Sequence, residues 1–423
     1  MKICIVTYGS LGDIRPYIAL GKTLKNGGHN VAICCNHRFR VTVSQEGLEY
    51  LYMNDGFSQL IESAQGREAI QNLGSFLTAA KAVLSLIKQI GPLQSQTLFD
   101  AWESIEKFKP DVMIYNPKTH WVNHFAEKLK VSAVMTSLFP QFVSTSAYPS
   151  IGFPWFKSAG HYNVMTYKVA LAMSNIIGRK YIKQWRTREG LDSAFGKIDL
   201  LHDYHGTPIP FIHGYSKYVS ARPTDWPSSA QLSGFWHLSE PGWKAPRELI
   251  NFLGEGEPPV YVGFGSMASS NVKKTTGIVL DALQQAGVRG ILATGWNGIN
   301  ATQLPKSVFQ IDYAPHDWLF PRMAAVVHHG GAGTTAAGLL AGCPTVICPF
   351  FGDQIFWGRC VEQLGVGVAQ IPQAKLNRHN LSAAIVKLIN TDSIKQKAAA
   401  LGAQLQNENG MEAAVKLIEQ QCN

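Results

Sequence analysis

The opening of the chain decides its fold class. "KICIVT" is an unbroken apolar run, "GSLGDIRP" is a turn leading into a helix, and "HNVAICC" is a second apolar run. Between the runs, Ile14, Tyr17, Ile18, Gly21 and Leu24 recur at helical spacing, and Asn26-Gly27-Gly28 ends the helix. Strands that are apolar at every position have no face to give to water. A strand–helix–strand unit of this kind calls for a parallel sheet covered by helices on both sides. The pattern returns at "KPDVMIYN" and "VSAVMTSLF". A second series follows at "PVYVGFGS", "GILAT", "VFQID", "AAVVHHG" and "CPTVICP". The stretch 222–258 between the two series is rich in proline and glycine and reads as a linker. The C-terminal end reads as helices.

Composition narrows the partners. A chain of 423 residues with 46% hydrophobic and 16% charged residues is long and apolar enough to bury two cores. The net charge of +9 is compatible with an anionic substrate, an anionic membrane surface or nucleic acid. The lysines are scattered, and neither zinc-finger spacing nor a dense basic helix occurs, which sets nucleic acid aside. Cys4, Cys34, Cys35, Cys343, Cys348, Cys360 and Cys422 include no C-x-x-C pair and several sit in apolar runs. They read as reduced, buried thiols of a cytoplasmic protein. "MKICIVTYGSLGD" reads as a first strand rather than a signal peptide, and no apolar run reaches the length of a membrane span. From Pro140 to about Leu200 the chain is rich in Phe, Tyr, Trp and Met. Three readings of that segment stay open: an acceptor pocket, a membrane-touching lid, or core.

In open parallel sheets, ligands bind beyond the C-terminal ends of the strands, against helix N-termini. The run "VVHHGGAGTTAAGLLAGCPTVICPFFGDQ" supplies such an edge. Gly330, Gly331 and Gly333 let backbone approach a ligand, and a helix of small residues opening near Thr334 and Thr335 offers bare N–H groups to phosphate. His328 at the strand end can donate a further hydrogen bond to a diphosphate. The bland alternative is a tight turn with one packed imidazole. Asp353 and Gln354, just past the next strand, combine a carboxylate and an amide, a set suited to sugar hydroxyls. Gly265 and Ser266 end another strand of the same series and are candidates for the same diphosphate. Adjacent His328 and His329 point to opposite strand faces, which argues against one shared metal. His120 and His124 lack the Glu of H-E-x-x-H, and no D-x-D occurs, so no metal is expected. In the first loop, Asp13 follows Gly9-Ser10-Leu11-Gly12. It reads either as a helix N-cap or as a general base at a cleft edge. The loop is not G-x-G-x-x-G, and the second strand ends in Cys35-Asn36-His37-Arg38 without a ribose-binding acid, which disfavours a nicotinamide cofactor.

These stretches carry a resemblance. "GSLGDIRPYIALGKTL", "KPDVMIYNP", "HFAEKL", "YVGFGSM", "APHDWLFPRMAAVVHHGGAGTTAAGLLAGCPTVICPFFGDQIFWG" and "LGVG" span residues 9 to about 367. They resemble the GT-B glycosyltransferases of the UDP-glycosyltransferase superfamily, above all its sterol 3-beta-glucosyltransferases and related bacterial lipid and natural-product glycosyltransferases. The resemblance implies two Rossmann-like domains with parallel sheets facing a central cleft. Residues 1–221 would bind the acceptor and 259–395 the nucleotide sugar, with 222–258 as linker and 396–423 crossing back to the first domain. It implies that His328, Gly331, Ala332, Gly333 and Thr334 meet the diphosphate, with Gly265 and Ser266 beside them. It implies Asp353 and Gln354 on the sugar and Asp13 as base, in a donor/acceptor loop with Ser10 and Gly12. Tyr313-Ala314 stands where plant-type relatives place a tryptophan-alanine pair against uracil, so Tyr313 and Ala314 are the candidates for the nucleobase. The expected reaction is inverting, metal-independent transfer of a hexose, glucose from UDP-glucose, to a hydroxyl of a sterol, terpenoid or aromatic aglycone. No cofactor is expected, and contact with an anionic membrane would be peripheral. A UDP-sugar epimerase or hydrolase of the same fold, and a non-catalytic nucleotide-sugar-binding homologue, are the alternatives.

Overall fold

The computed structural model describes residues 1–62, 76–156, 159–176, 178–195, 198–265, 272–294 and 304–421. The chain forms two compact units. The first comprises Met1–Gly214, Arg222–Trp236 and Gly410–Asn423, and the second Tyr215–Ala221 and His237–Asn409.

The first unit is built on seven strands: β1 (Lys2–Val6), β2 (Asn30–Asn36), β3 (Glu49–Met53), β4 (Val112–Tyr115), β5 (Ser132–Ser137), β6 (Phe211–His213) and β7 (Ala230–Leu232). Their order is β3-β2-β1-β4-β5-β6-β7, and every neighbouring pair is parallel. The apolar runs are buried along almost their whole length, as a doubly covered sheet requires. The helix Leu11–Asn26 buries Ile14, Tyr17, Ile18, Gly21 and Leu24.

The second unit has five strands: β8 (Val260–Gly263), β9 (Gly290–Ala293), β10 (Val308–Ile311), β11 (Ala325–His328) and β12 (Thr345–Ile347). Their order is β10-β9-β8-β11-β12, again all parallel. Alternate strand residues serve two cores. Val260, Val262, Ala325, Val327 and Val346 pack on one face, and Tyr261, Ile291 and Val326 on the other.

The domain boundaries differ from the sequence reading: Tyr215–Ala221 and, within the expected linker, the residues from His237 on belong to the second unit, where Leu249 and Phe252 enter its core. Arg222–Trp236 is not linker: it carries β7, the edge strand of the first sheet, a three-residue element too short to announce itself by periodicity. At the other end, the helix Asp392–Gln406 belongs to the second unit. It packs on the helix Ala332–Leu340, where Gly402 and Gly342 let the backbones approach: a Cβ on Gly402 would lie 2.7 Å from the Gly342 Cα. Only the helix Gly410–Gln420 joins the first unit, against the helix Leu11–Asn26, with His29 Nε2 2.9 Å from Glu419 Oε1.

Candidate active site

Each sheet has a point where the strand order reverses: β1 beside β4 in the first unit, β8 beside β11 in the second. Connections leave such neighbours in opposite directions, which opens a crevice at their C-terminal ends. Most of the sequence-predicted residues stand at or beside these two points, each within its own unit.

At the first point, β1 is followed by the loop Thr7-Tyr8-Gly9, and the helix begins at Leu11 with Ser10 as N-cap. Asp13 is therefore not the cap, as its spacing after the loop allowed, but the third helical residue. Its Oδ2 accepts from the Ser10 backbone N–H at 2.8 Å and from Ser10 Oγ at 3.0 Å, closing a capping box. Gly9 has φ +140°, and a Cβ there would stand 2.3 Å from Asp13 Oδ2, so the carboxylate needs a glycine at that place. Gly12 is exposed on the first helical turn. From the end of β4 comes a residue that the sequence did not single out. Lys118 donates from Nζ to Asp13 Oδ1 at 2.6 Å, with the carboxylate side chain 26% exposed. A chain of hydrogen bonds fixes this pair. Asn116 Oδ1 accepts from Lys118 N, Asn116 Nδ2 donates to Thr7 Oγ1, and Thr7 Oγ1 donates to the Asp13 carbonyl. Asp13 is thus a held, charged and partly open carboxylate.

At the second point the groups are buried and neutral. His328, the last residue of β11, is wholly buried, and its Nδ1 accepts from the Gly330 N–H at 3.0 Å. With Nδ1 accepting, the neutral ring carries its proton on Nε2. That Nε2 is buried without a hydrogen-bond partner among the described residues. Burial first, then His329 and His316, holds the His328 pKa well below the ordinary imidazole value, so the ring is a neutral donor at neutral pH. His329 turns the other way, its ring at 87° to that of His328, and burial pushes its pKa down to about 4. Its ring fills the space left by two glycines: a Cβ would come within 3.0 Å of it at Gly265 and within 2.6 Å at Gly331.

The helix here begins at Ala332, two residues before the expected start, because Gly331 takes the extended N-cap conformation and has no side chain to cap with. Thr335 already bonds back to the Gly331 carbonyl through both N and Oγ1. The first-turn N–H groups of Ala332, Gly333 and Thr334 precede the first intrahelical donor, the Thr335 N–H, and are left bare at the positive end of the helix dipole. Gly330, at φ +94°, lies against the Gln354 side chain, where a Cβ would meet Gln354 Cβ at 3.1 Å. Gln354 Oε1 accepts from Phe350 N at 2.7 Å, which leaves its amide NH₂ as the donor it can offer. Asp353 opens the helix Asp353–Leu364. Gly265, His328, Gly331 and Gln354 are therefore neighbours, whereas Tyr313 and Ala314 follow the edge strand β10. Ala314 is buried, and Tyr313 is half-exposed with its hydroxyl bonded to Glu240. Ser266 lies outside the described residues.

His124 and His213 are buried: His124 accepts from the buried Arg186 at 3.0 Å, and His213 stacks on Phe211 and Trp226. Among the described residues six cysteines are free and buried, and no helix is long and apolar enough to cross a membrane.

Known proteins carry the same plan. The model of the glycosyltransferase family 28 N-terminal domain matches residues 3–148, and that of the erythromycin biosynthesis protein CIII-like C-terminal domain matches 279–420. Sterol 3-beta-glucosyltransferase UGT80B1 of Arabidopsis thaliana is 35% identical over 98% of this chain and 67% of its own length. The chain belongs to the sterol 3-beta-glucosyltransferase family. Another family member, from Aspergillus oryzae, is 35% identical over 99% of this chain but only 30% of its own length. The chain thus spans about two thirds of the plant relative and under a third of the fungal one. Among solved structures, the kitacinnamycin glycotransferase (TM-score 0.71, 18% identity, 100% of this chain and 99% of that one) and the spinosyn forosaminyltransferase SpnP (TM-score 0.69, 15% identity, 100% and 99%) share the fold. The family's architecture, GT-B with two Rossmann-like units, is the one described above, and this chain is a glycosyltransferase by membership.

Proposed function

We propose that this glycosyltransferase moves glucose from UDP-glucose to the hydroxyl of a sterol or similarly lipophilic acceptor, with inversion and without a metal. The observation that carries the reading is the buried, partnerless Nε2–H of His328 beside the bare N-terminus of the helix Ala332–Leu340. Donating groups without acceptors, in a water-poor site, are what a leaving diphosphate needs as its charge grows. They also supply by hydrogen bonding the neutralisation that a metal supplies in other transferases. The SsfS6 glycosyltransferase of Streptomyces sp. SF2575, which shares the fold at 18% identity and a TM-score of 0.61, is solved with thymidine diphosphate. Glucose is preferred here because the relatives are glucosyltransferases, and UDP because the site motifs resemble those of the UDP-glycosyltransferase superfamily.

In this reading Asp13 takes the proton of the acceptor hydroxyl, and Lys118 and Ser10 hold the carboxylate in place. The oxygen attacks the anomeric carbon opposite the diphosphate, the C–O bond to UDP breaks, and an alpha donor gives a beta product. His328, Gly331, Ala332, Gly333, Thr334, Gly265 and Ser266 receive the diphosphate. Asp353 and the Gln354 amide bind glucose hydroxyls, and Tyr313 and Ala314 lie toward the base. The acceptor pocket draws on the aromatic interior of the 139–186 segment, where Phe142, Tyr148 and Tyr167 are buried. An acceptor dissolved in lipid would bring the enzyme to a membrane surface as a peripheral protein.

The test is UDP release from UDP-glucose with product mass recorded, over a panel of sterols, hopanoid-like alcohols and flavonoids. A product heavier by one hexose that depends on sterol supports the reading. UDP release without any acceptor assigns hydrolysis or epimerisation instead, and binding without release assigns a non-catalytic homologue.

A further inference from the structure

The helix Gly160–Ile176 is turned inside out. Its buried residues are Asn163, Thr166 and Tyr167, whereas Met165, Val169, Met173 and Ile176 are between 43% and 71% exposed. Steps of four, four and three residues set these four side chains on one stripe along the helix. The rotation is held from within. Asn163 Nδ2 donates to the Ser146 carbonyl at 2.8 Å, and Thr166 Oγ1 accepts from the Ser150 N–H at 2.8 Å. Turning the stripe inward would strip these buried groups of their partners. Phe156, 60% exposed and edge-on to Tyr162, adds to the apolar surface. Single exposed apolar residues are ordinary, but an aligned set on one helix marks a surface that is covered in use.

The charge around the stripe says what covers it. Between Glu127 and Glu189 the sequence has no Asp or Glu and nine Lys or Arg. Some of these bases are spoken for: Arg186 is buried on Glu127, and Arg188 reaches Glu103 and Glu189. Lys168 on the same helix, and Lys180 and Lys183 on the helix Arg179–Arg188 that follows, are exposed and make no ion pair among the described residues. An apolar stripe flanked by unneutralised lysines, with no acid nearby in the chain, complements a surface that is anionic outside and hydrocarbon beneath.

We propose that the stripe of Met165, Val169, Met173 and Ile176, with Lys168, Lys180 and Lys183, docks this chain on an anionic lipid bilayer. The proposal deepens the reading of a lipid-dissolved acceptor by naming the face that meets the lipid, and its test does not depend on turnover.

The full chain is floated with vesicles of phosphatidylcholine alone and of phosphatidylcholine with phosphatidylglycerol. Binding is expected only to the anionic vesicles, and added salt should weaken it. Lys180→Glu/Lys183→Glu should lower the affinity by about fivefold or more per lysine. Met165→Ser/Met173→Ser should lower it by about tenfold or more through lost apolar insertion. All four positions are exposed, so an unchanged melting temperature verifies the fold of each variant. No vesicle binding, equal binding to neutral vesicles, or full binding by the variants overturns the proposal. So does a wild-type dimer that Met165→Ser/Met173→Ser dissociates while vesicle binding persists, because the stripe would then face a second copy. Vesicle binding without sugar transfer to sterols would leave the docking face standing and remove only the acceptor reading.

Discussion

The two units use one strand plan for opposite chemistry. In each, the order reverses beside the first strand, and a loop and a helix start meet there. The first unit puts a charged pair at this point, Asp13 and Lys118, with the carboxylate a quarter exposed. The second puts neutral imidazoles and glycines there, with His328 sealed from solvent. A group that must take a proton from an incoming hydroxyl has to be reachable and negative. A group that must hold a departing anion works best dry and donating. Backbone topology sets where a site can be, and burial sets which half of the reaction it suits.

Four experiments test that contrast: three on turnover, from the largest expected effect to the smallest, and one on stability. Asp13→Asn should cut turnover by about a thousandfold, the scale of a lost general base, and leave UDP affinity as in the wild type. Retained turnover would place the base elsewhere. His328→Ala should lower kcat by about a hundredfold, as for a lost oxyanion-type donor, and weaken UDP binding in calorimetry. An unaltered UDP affinity would move the diphosphate off β11.

Lys118→Met should lower kcat by about fivefold, on the order of 1 kcal/mol for a half-exposed ion pair, because Ser10 still holds Asp13. Lys118→Arg should restore much of the loss. A purely structural lysine would instead shift the melting temperature and leave kcat alone.

The fourth experiment reads acid stability rather than turnover. His329 titrates near 6.5 when unfolded and is pushed down to about 4 by burial. Below pH 6.5 the unfolded chain takes up a proton that the folded ring refuses. Stability is therefore complete above that pH and falls as the pH drops toward 4, by roughly 1.4 kcal/mol per unit for each such histidine. Urea midpoints between pH 7 and pH 4 (the window set by these two pKa values) should fall less steeply in His329→Gln than in the wild type. Equal slopes would show that His329 is not held neutral. His213, pushed to about 3 by burial, acts in the same direction in the first unit.

Much of this was legible in the sequence, for identifiable reasons. The long apolar strands declared themselves because a doubly covered sheet leaves no polar alternation. β6 and β7 did not, since three residues carry no period. The helix starts at Leu11 and Ala332 came earlier than glycine-rich spelling implied, because Gly12 and Gly333 sit inside the first turns rather than before them. Lys118 was invisible: it stands 105 residues from Asp13, and nothing in "NPKTH" distinguishes it from a surface lysine. The segment from Pro140 to about Leu200 stayed open between pocket, membrane-touching lid and core, and which residues of the helix Gly160–Ile176 face outward was not legible until the polar residues opposite were seen to be bonded inward.

By itself, the sequence determined the class of fold, the family, and the set of residues at the strand ends, because all three depend on local pattern and chain order. The tertiary structure decided which of those residues meet, that His328 presents Nε2–H rather than Nδ1–H, and that Asp13 has a lysine for a partner. Those outcomes depend on burial and on hydrogen bonds between distant segments, and only packing the chain brings such segments together.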